Sequence, residues 1–352
     1  MSTSWEANVR KVIPYVPGEQ PKIPNLVKLN TNENPYPPSP AVRKALEEMN
    51  ADELRLYPDP AAEALVEAFA EVYGLKKNQV FTGVGSDDVL AMSFLAFFNS
   101  DQPILFPDIT YSFYDVWADL FRIPYKQIPL DENFQIRTED YAVRNGGVIF
   151  PNPNAPTGVF LEREQARSII EANRDVVVIV DEAYIDFGGE SVIDMIDTYD
   201  NLLVVQTLSK SRSLAGMRIG AAFGNEKLIA YLNDVKYSIN SYTMNRTAIA
   251  AGRAALLDTD YFRETTEKVI RTREWTKVQL RELGFEFGDS MSNFIFARHQ
   301  SVPAEELFTA LRKAGIIVRY FKKPRIDQYL RISIGTDEQM RKLIGFLKEY
   351  LA

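Results

Sequence analysis

Residues 176–184 read Val-Val-Val-Ile-Val-Asp-Glu-Ala-Tyr, so an apolar run leads directly into two acids and a tyrosine. A short run that is apolar at every position is typical of a strand that helices cover on both faces. Four similar runs lie at residues 80–82, 104–106, 148–150 and 202–205, with helical segments between them. This alternation predicts an α/β fold with a mainly parallel sheet flanked by helices.

The chain is expected to divide into three parts. Prolines near the start block regular helix or sheet, namely Pro14, Pro17, Pro21, Pro24, Pro35, Pro37, Pro38 and Pro40. We therefore expect residues 1–45 to form an N-terminal arm that also contributes to a small domain. Residues 46–245 should form the large domain. A long charged helix at 262–283 is followed by strands near 293–296, 316–318 and 330–334, which indicates a smaller α+β domain over 246–352.

The composition excludes several function classes. The chain has 352 residues, a net charge of -8 and no lysine-arginine block, which argues against nucleic acid or an anionic membrane as the main partner. It has no cysteine and one histidine, His299, so no metal site is expected. The longest apolar stretch, near residues 90–98, is too short to cross a bilayer. We expect a cytoplasmic protein.

A lysine and an acid follow two of the apolar runs. Asp181 and Tyr184 come after residues 176–180, and Lys210 comes after 202–205. Ligands of such sheets gather outside the carboxyl ends of the strands, so these side chains are expected to share a site. Pyridoxal phosphate requires a lysine amine for a Schiff base and a carboxylate that keeps its ring nitrogen protonated. The sequence therefore predicts a pyridoxal-phosphate site, and a solvated hydroxyl-rich loop is the alternative.

Groups suited to a phosphate accompany this lysine. They are the backbone amides at the start of a helix, at Gly85, Ser86 and Asp87, and the side chains of Thr207, Ser209 and Arg218. Helix amides and the helix dipole favour an anion at that point, although Ser86 or Asp87 can also cap the helix. A nicotinamide-binding fingerprint would need a third glycine where Asp88 stands.

Motifs along nearly the whole chain carry a resemblance to a known family. They are Leu-Asn-Thr-Asn-Glu-Asn-Pro-Tyr at 29–36, Tyr-Pro at 57–58, Gly-Ser-Asp at 85–87, residues 107–111, Asn-Pro-Asn-Ala-Pro-Thr-Gly at 152–158, Asp-Glu-Ala-Tyr at 181–184, Ser-Lys at 209–210 with Arg218, and Leu-Arg-Ile at 330–332. With these motifs the chain resembles the fold-type I pyridoxal-phosphate aminotransferases and, among them, the histidinol-phosphate aminotransferase family.

The resemblance implies a role for each candidate residue. Lys210 would hold pyridoxal 5'-phosphate as a Schiff base, Asp181 would pair with the ring nitrogen, and Tyr184 would bond the ring hydroxyl. Tyr111 would stack on the ring. The phosphate would contact Gly85, Ser86, Asp87, Thr207, Ser209, Arg218 and the partner subunit's Tyr57, in a homodimer with shared active sites. The reaction would be ping-pong amino transfer from L-histidinol phosphate to 2-oxoglutarate, giving glutamate, in histidine biosynthesis.

One position departs from the family's pattern. Asparagine usually precedes Pro-Thr-Gly, and this chain has Ala155 there. Asn154 is expected to contact the ring hydroxyl in its place, and the alternatives are Asn152 or Tyr184 alone. A cis peptide bond before Pro156 would suit the proline-rich turn.

Substrate binding is assigned to an arginine and to the arm. Arg331 alternates with Leu330 and Ile332 along a strand, so it faces away from their apolar side and can meet a substrate anion. A salt bridge is the alternative. The resemblance adds Tyr15 and Asn32. Three functions stay open, namely histidinol-phosphate aminotransferase, an aromatic amino-acid aminotransferase or phosphothreonine decarboxylase on the same scaffold, and a non-catalytic cofactor-binding protein.

Overall fold

A computed structural model describes residues 5–21 and 25–352 of the chain. Residues 1–4 and 22–24, which include Pro24 of the expected arm, lie outside the described residues. Two sheets, one of seven strands and one of five, organise the part that is described.

The strands are arranged so that most of the larger sheet is parallel. They are β1 (Val27–Leu29), β2 (Val80–Gly83), β3 (Ile104–Pro107), β4 (Tyr125–Ile128), β5 (Val148–Pro151), β6 (Val178–Asp181), β7 (Leu202–Thr207), β8 (Gly220–Gly224), β9 (Phe285–Phe287), β10 (Phe294–His299), β11 (Ile316–Tyr320) and β12 (Leu330–Ser333). The larger sheet has the order β2-β8-β7-β6-β5-β3-β4, and β8 runs antiparallel to both its neighbours. The other strands therefore end at one edge.

Helices cover both faces of the larger sheet. The α-helices are α1 (Pro40–Glu47), α2 (Glu63–Tyr73), α3 (Ser86–Phe97), α4 (Tyr114–Phe121), α5 (Arg163–Ala172), α6 (Glu226–Ile239), α7 (Arg246–Leu257), α8 (Thr259–Glu282), α9 (Ala304–Lys313) and α10 (Asp337–Leu351). Val178 and Val180 of β6 join a core with α2, α5 and α7, whereas Ile179 joins a core with α3, α4 and α6. Burial on both faces explains the continuous apolar runs.

The smaller sheet joins the arm to the C-terminal part of the chain. Its order is β1-β11-β12-β10-β9, and β1 pairs parallel with β11, with Val27 opposite Ile316. Helices α8, α9 and α10 contribute Val269, Leu307 and Leu343 to its core. The arm segment that follows β1 is thereby fixed next to β12.

Some elements differ from the sequence expectations. Pro40 begins α1 instead of blocking a helix, because a proline at the first helical position loses no hydrogen bond. The apolar-run criterion does not predict β4, which is mostly exposed, or β8, which is built largely of glycine and alanine. Helix α7 packs in the core of the larger sheet with α2, whereas α8 packs against the smaller sheet.

Candidate active site

Asp181 ends β6 as a buried carboxylate. Tyr114 Oη donates a hydrogen bond of 2.8 Å to its Oδ2, and the Ala183 amide lies 3.3 Å from its Oδ1. Burial raises the pKa of Asp181 to about 6, and the hydrogen bonds from Tyr114 and Ala183 oppose that rise. Both partners are neutral. A positively charged group beside this carboxylate would offset the burial of its charge and lower its pKa again.

Lys210 lies near Asp181 because β7, which leads to the lysine, pairs with β6 and places Val205 opposite Asp181. Its Nζ donates to the Thr31 carbonyl oxygen at 3.3 Å and lies 5.6 Å from the centre of the Tyr184 ring. Asn32 Nδ2 donates to Tyr184 Oη at 3.0 Å. The amine, the phenol and the arm therefore meet at the carboxyl edge of the sheet.

The turn between β2 and α3 forms a cradle that glycine alone fits. Gly85 precedes α3 with φ +84°, and a Cβ there would lie 2.4 Å from Arg218 Nη2. A Cβ on Gly220 would lie 2.4 Å from the Ser86 amide nitrogen. The first turn of α3 leaves backbone amides at Ser86 and Asp87 without helical acceptors. Free amides beside Arg218 make an anion site.

Thr207 is the last residue of β7, and Ser209 follows it shortly after the strand end. Thr207 Oγ1 lies 2.9 Å from Ser209 Oγ and 3.1 Å from the Ile219 carbonyl oxygen. The register of β7 and β8 places Thr207 opposite Gly220. The hydroxyl groups and the α3 cradle thus occupy neighbouring strand ends.

The Asp87 side chain has contacts that the sequence does not predict. Its Oδ1 accepts a hydrogen bond of 2.6 Å from Tyr111 Oη, and its Oδ2 lies 3.1 Å from Arg218 Nη2. Tyr111 also packs edge-on against Tyr114, with ring centroids 5.8 Å apart. Asp87 therefore orients both the expected stacking ring and the expected phosphate ligand.

Asn154 has a buried amide oxygen without a donor among the described residues. Its Nδ2 donates to the Ile109 carbonyl oxygen at 3.0 Å and to Thr157 Oγ1 at 2.9 Å. Asn152 is fully engaged with the backbone of Leu161 through both ends of its amide. The geometry thus favours Asn154 over Asn152 as the polar group next to Ala155. The bonds before Pro153 and Pro156 are both cis.

Arg331 is a largely buried cation without an acidic partner in the described residues. Its Nη2 donates to the Asn30 carbonyl oxygen at 2.9 Å, and its Nε is buried without an acceptor. Burial lowers the pKa of Arg331. The charged or titratable groups that act on it are Tyr184, Arg319, Tyr15 and Tyr111. Ser333, two residues on and on the same face of β12 as Arg331, bonds Asn32, and Asn32 bonds Tyr184. Arg331 therefore lies on the side of β12 that faces Tyr184, where its guanidinium can bind an anion.

The two arm residues expected at the substrate have different contacts. Asn32 has φ 56° and accepts a hydrogen bond of 2.9 Å from Ser333 Oγ, which ties it to β12 beside Arg331. Tyr15 stacks on Phe113, with centroids 4.1 Å apart and an interplanar angle of 20°. The ring of Phe113 in turn packs against that of Tyr111, with centroids 5.5 Å apart. Tyr15 therefore extends the aromatic cluster of the site.

Tyr57 lies apart from the Lys210 group in the single chain. Its side chain is 76% exposed, and its ring stacks on Tyr242 with centroids 4.6 Å apart.

Two residues that contact the site, Tyr114 and Asn34, were not predicted from the sequence. Tyr114 lies in an aromatic helix that reads as core, whereas Asn34 belongs to the motif at 29–36 and could have been found there.

Comparison with known proteins decides the family. The family model described as aminotransferase class I and II matches residues 24–347. The histidinol-phosphate aminotransferase of Pseudomonas putida is 55% identical over 347 residues, covering 99% of this chain and 100% of that protein. That of Clostridium beijerinckii is 52% identical over 352 residues, covering 100% and 98%. The chain belongs to the histidinol-phosphate aminotransferase family. The resemblance seen in the motifs is confirmed.

Solved structures share the fold of this aminotransferase. The histidinol-phosphate aminotransferase of Clostridium acetobutylicum has a TM-score of 0.86 at 24% identity, over 93% of this chain and 99% of that one. That of Sinorhizobium meliloti, in complex with pyridoxal-5'-phosphate, has 0.82 at 22%, over 92% and 90%. The L-threonine-O-3-phosphate decarboxylase of Porphyromonas gingivalis has 0.78 at 21%, over 93% and 99%. The predicted α/β class is confirmed, and the fold alone does not choose an activity.

A membrane-spanning helix needs about 20 predominantly apolar residues. Within residues 5–21 and 25–352, no helix is both long and apolar enough to cross a bilayer.

Proposed function

We propose that this chain transfers the amino group of L-histidinol phosphate to 2-oxoglutarate, with pyridoxal 5'-phosphate bound at Lys210. The observation that carries the substrate assignment is Arg331, a cation without an acidic partner in the described residues that faces the space around Tyr184. Identity of 55% to a histidinol-phosphate aminotransferase over 99% of the chain supports the same substrate.

The residues around Lys210 fit pyridoxal phosphate. Asp181 is buried with neutral partners, so a protonated pyridine nitrogen beside it would offset the burial of its charge. The unpartnered Asn154 Oδ1 needs a donor. The cradle at Gly85 and Ser86, with Arg218 beside it, suits a phosphate. When bound, the cofactor supplies an aldehyde that condenses with amines and a ring that withdraws electrons from the substrate carbon.

The chain's own groups then move one proton. Lys210 Nζ would be the base that takes the proton from the substrate carbon that bears the amine, and the same group, then protonated, would be the acid that gives the proton back. The Thr31 carbonyl oxygen accepts a hydrogen bond from this amine, and the ring of Tyr184 lies beside it. Asp181 holds the proton on the ring nitrogen throughout. The second substrate, a keto acid, passes through the same steps in reverse.

The phosphate end of the substrate is proposed to lie at Arg331. Asn32 is held against β12 by Ser333 and donates to Tyr184, so it lies between the ring site and the arginine. Arg319 lies opposite Arg331 in the register of β11 and β12 and adds positive charge. Tyr15, stacked on Phe113, lies on the side of the site where Tyr111 is. A guanidinium binds a phosphate with charge-assisted hydrogen bonds.

Arg331→Leu should lower kcat/KM for histidinol phosphate about ten- to hundredfold, because it removes at least one charge-assisted hydrogen bond worth about 1.5–3 kcal/mol. The loss should be small for histidinol without its phosphate, which offers no anion to the arginine. Steady-state rates with both compounds measure the contrast.

Arg298→Leu is the matched control. Arg298 lies on the neighbouring strand β10, where it is exposed and paired with Glu286 at 2.7 Å. Its replacement should leave both rates close to those of the wild type. Equal losses for the two substrates in Arg331→Leu would show that the arginine does not recognise the phosphate.

We further propose a homodimer in which the partner subunit's Tyr57 reaches the cofactor phosphate. Tyr57 is exposed, and Arg246 donates to its carbonyl oxygen at 3.1 Å, which fixes the segment at the surface. Exposed apolar side chains accompany it, namely Leu54, Leu56, Tyr237, Ile239 and Tyr242. Clustered apolar exposure is typical of a protein interface.

Tyr57→Phe should weaken pyridoxal-phosphate binding about tenfold, because one hydrogen bond to a charged group is lost. In dimers mixed with Lys210→Ala chains, which keep Tyr57, the sites with native Lys210 should regain wild-type affinity. Cofactor titration of the mixture measures this, with Tyr231→Phe, another exposed tyrosine, as the control. The shared site would be refuted if pyridoxal-phosphate binding in the mixture equalled the sum of the binding by the two separate variants. A monomer in sedimentation would refute it as well.

The other candidate activities share the cofactor and differ in the substrate. An aromatic amino-acid aminotransferase would use Arg331 for a carboxylate, and a phosphothreonine decarboxylase would release carbon dioxide, which histidinol phosphate cannot supply because it has no α-carboxylate. A non-catalytic protein would have no use for Lys210 and Asp181 in one site. Location in the cytoplasm and the domain limits stay predictions.

A further inference from the structure

Asn34 contacts the main chain of the segment that follows β7 and carries Lys210, residues 208–213, which we call the lysine loop. Its Nδ2 donates to the carbonyl oxygens of Lys210 and Ser211, each at 3.1 Å, and its Oδ1 accepts from the Tyr36 amide at 3.0 Å. Both amide hydrogens and the amide oxygen are thus engaged. The orientation of the side chain is fixed at both of its ends.

The rest of the loop is held by the body of the protein. Ser211 Oγ donates to Asp186 Oδ2 at 2.5 Å, and Arg212 Nη1 donates to the Ala255 carbonyl oxygen at 2.6 Å. The carbonyl oxygen of Lys210 accepts from the Ser213 amide of its own loop at 3.3 Å and, in addition, from a side chain of the arm, 176 residues away in sequence. The arm therefore adds a contact to the lysine main chain that the turn of the loop alone does not supply.

The same arm turn contacts the other end of the lysine. The Thr31 carbonyl oxygen lies 3.3 Å from Lys210 Nζ, and Asn32 bonds Tyr184 beside it. We infer that Asn34 is a positioning residue that fixes the Lys210 main chain so that Nζ reaches the cofactor aldehyde. This inference rests on the proposed function and adds a residue to it.

Most groups proposed for the phosphate make no contact with Asn34. The α3 cradle belongs to another segment, and the side chain of Arg218 contacts Asp87 and the Ala215 carbonyl oxygen. Ser209, the ligand next to Lys210, is held by the hydrogen bond between its hydroxyl and Thr207 Oγ1. Loss of Asn34 should therefore leave the cofactor bound and move only the amine. Small misplacement of a reacting group lowers rates strongly while binding is preserved.

The test compares Asn34→Asp and Asn34→Ala. Aspartate has nearly the same shape and can still accept from Tyr36, but it cannot donate to the two carbonyl oxygens and repels them. Three quantities are measured: total pyridoxal phosphate bound per chain, the fraction that borohydride fixes to Lys210 as found by peptide mass, and kcat with KM. Asn225→Asp, a change at an exposed helix cap that accepts from Lys227, is the control.

We expect bound cofactor and KM to stay near wild-type values while the fraction fixed to Lys210 falls and kcat drops about ten- to hundredfold. The larger effect should come from aspartate. Unchanged fixation and kcat in both variants would overturn the inference, and so would losses of bound cofactor and thermal stability in step with kcat, since they would mark a purely structural residue. A wild-type chain that binds no pyridoxal phosphate would instead reject the proposed function.

Discussion

Replacing Lys210 by alanine should remove the covalent link to pyridoxal phosphate and lower turnover by at least about a thousandfold, since the same amine carries the cofactor and moves the proton. The fold should survive, because the Nζ hydrogen bond of Lys210 in the described structure is the one to Thr31, at 3.3 Å. Borohydride reduction followed by peptide mass analysis measures the link, and single-turnover kinetics measure the rate.

Lys227→Ala is a suitable control for this experiment. Lys227 lies near the start of α6, where it is exposed. It should retain both the link and turnover. Borohydride labelling at any lysine other than Lys210 in the wild-type protein would overturn the site assignment.

Asp181→Asn should keep the cofactor bound yet lower turnover about a hundred- to a thousandfold, the usual cost of removing one preorganised electrostatic group. The phosphate cradle is untouched, so binding persists. The neutral amide cannot hold the ring nitrogen in its protonated form. Because the carboxyl is buried with a pKa of about 6, the amide should not destabilise the cofactor-free protein at neutral pH.

The control for this change is Glu182→Gln. Glu182 is the adjacent buried acid, and burial raises its pKa to about 7. Its carboxylate accepts from Ser191 Oγ, the Val192 amide and Gln206 Nε2. The Glu182→Gln substitution should therefore lower the stability of the fold more than it lowers turnover. Near wild-type turnover in Asp181→Asn, measured under saturating cofactor, would mean that Asp181 is merely a structural acid at a strand end.

The strands and the meeting of Asp181 with Lys210 could be predicted because they follow from local pattern. An apolar run that ends in a polar residue marks a strand end, and parallel neighbours bring such ends together. The structure pairs β6 with β7, which places Asp181 and the lysine loop at one edge. The glycine turn before α3 is likewise a local signal.

Contacts between distant segments could not be predicted in this way. Tyr114 bonds Asp181 across 67 residues, and Asn34 bonds the lysine loop across 176. Periodicity reports which face of an element is apolar, but not which side chain of another segment meets it. Strand β4 has no apolar run because it lies at the edge of the sheet and is mostly exposed. Strand β8 is buried, but its glycine and alanine residues are too small to form a recognisable run of bulky apolar side chains.

Values of kcat/KM for histidinol phosphate and for phenylalanine, each with 2-oxoglutarate as the amino acceptor and pyridoxal phosphate in excess, test the proposed activity most directly. We expect a preference for histidinol phosphate of at least about tenfold, the value of one charge-assisted hydrogen bond to its phosphate. A preference for phenylalanine would contradict it and would identify the chain as an aromatic amino-acid aminotransferase.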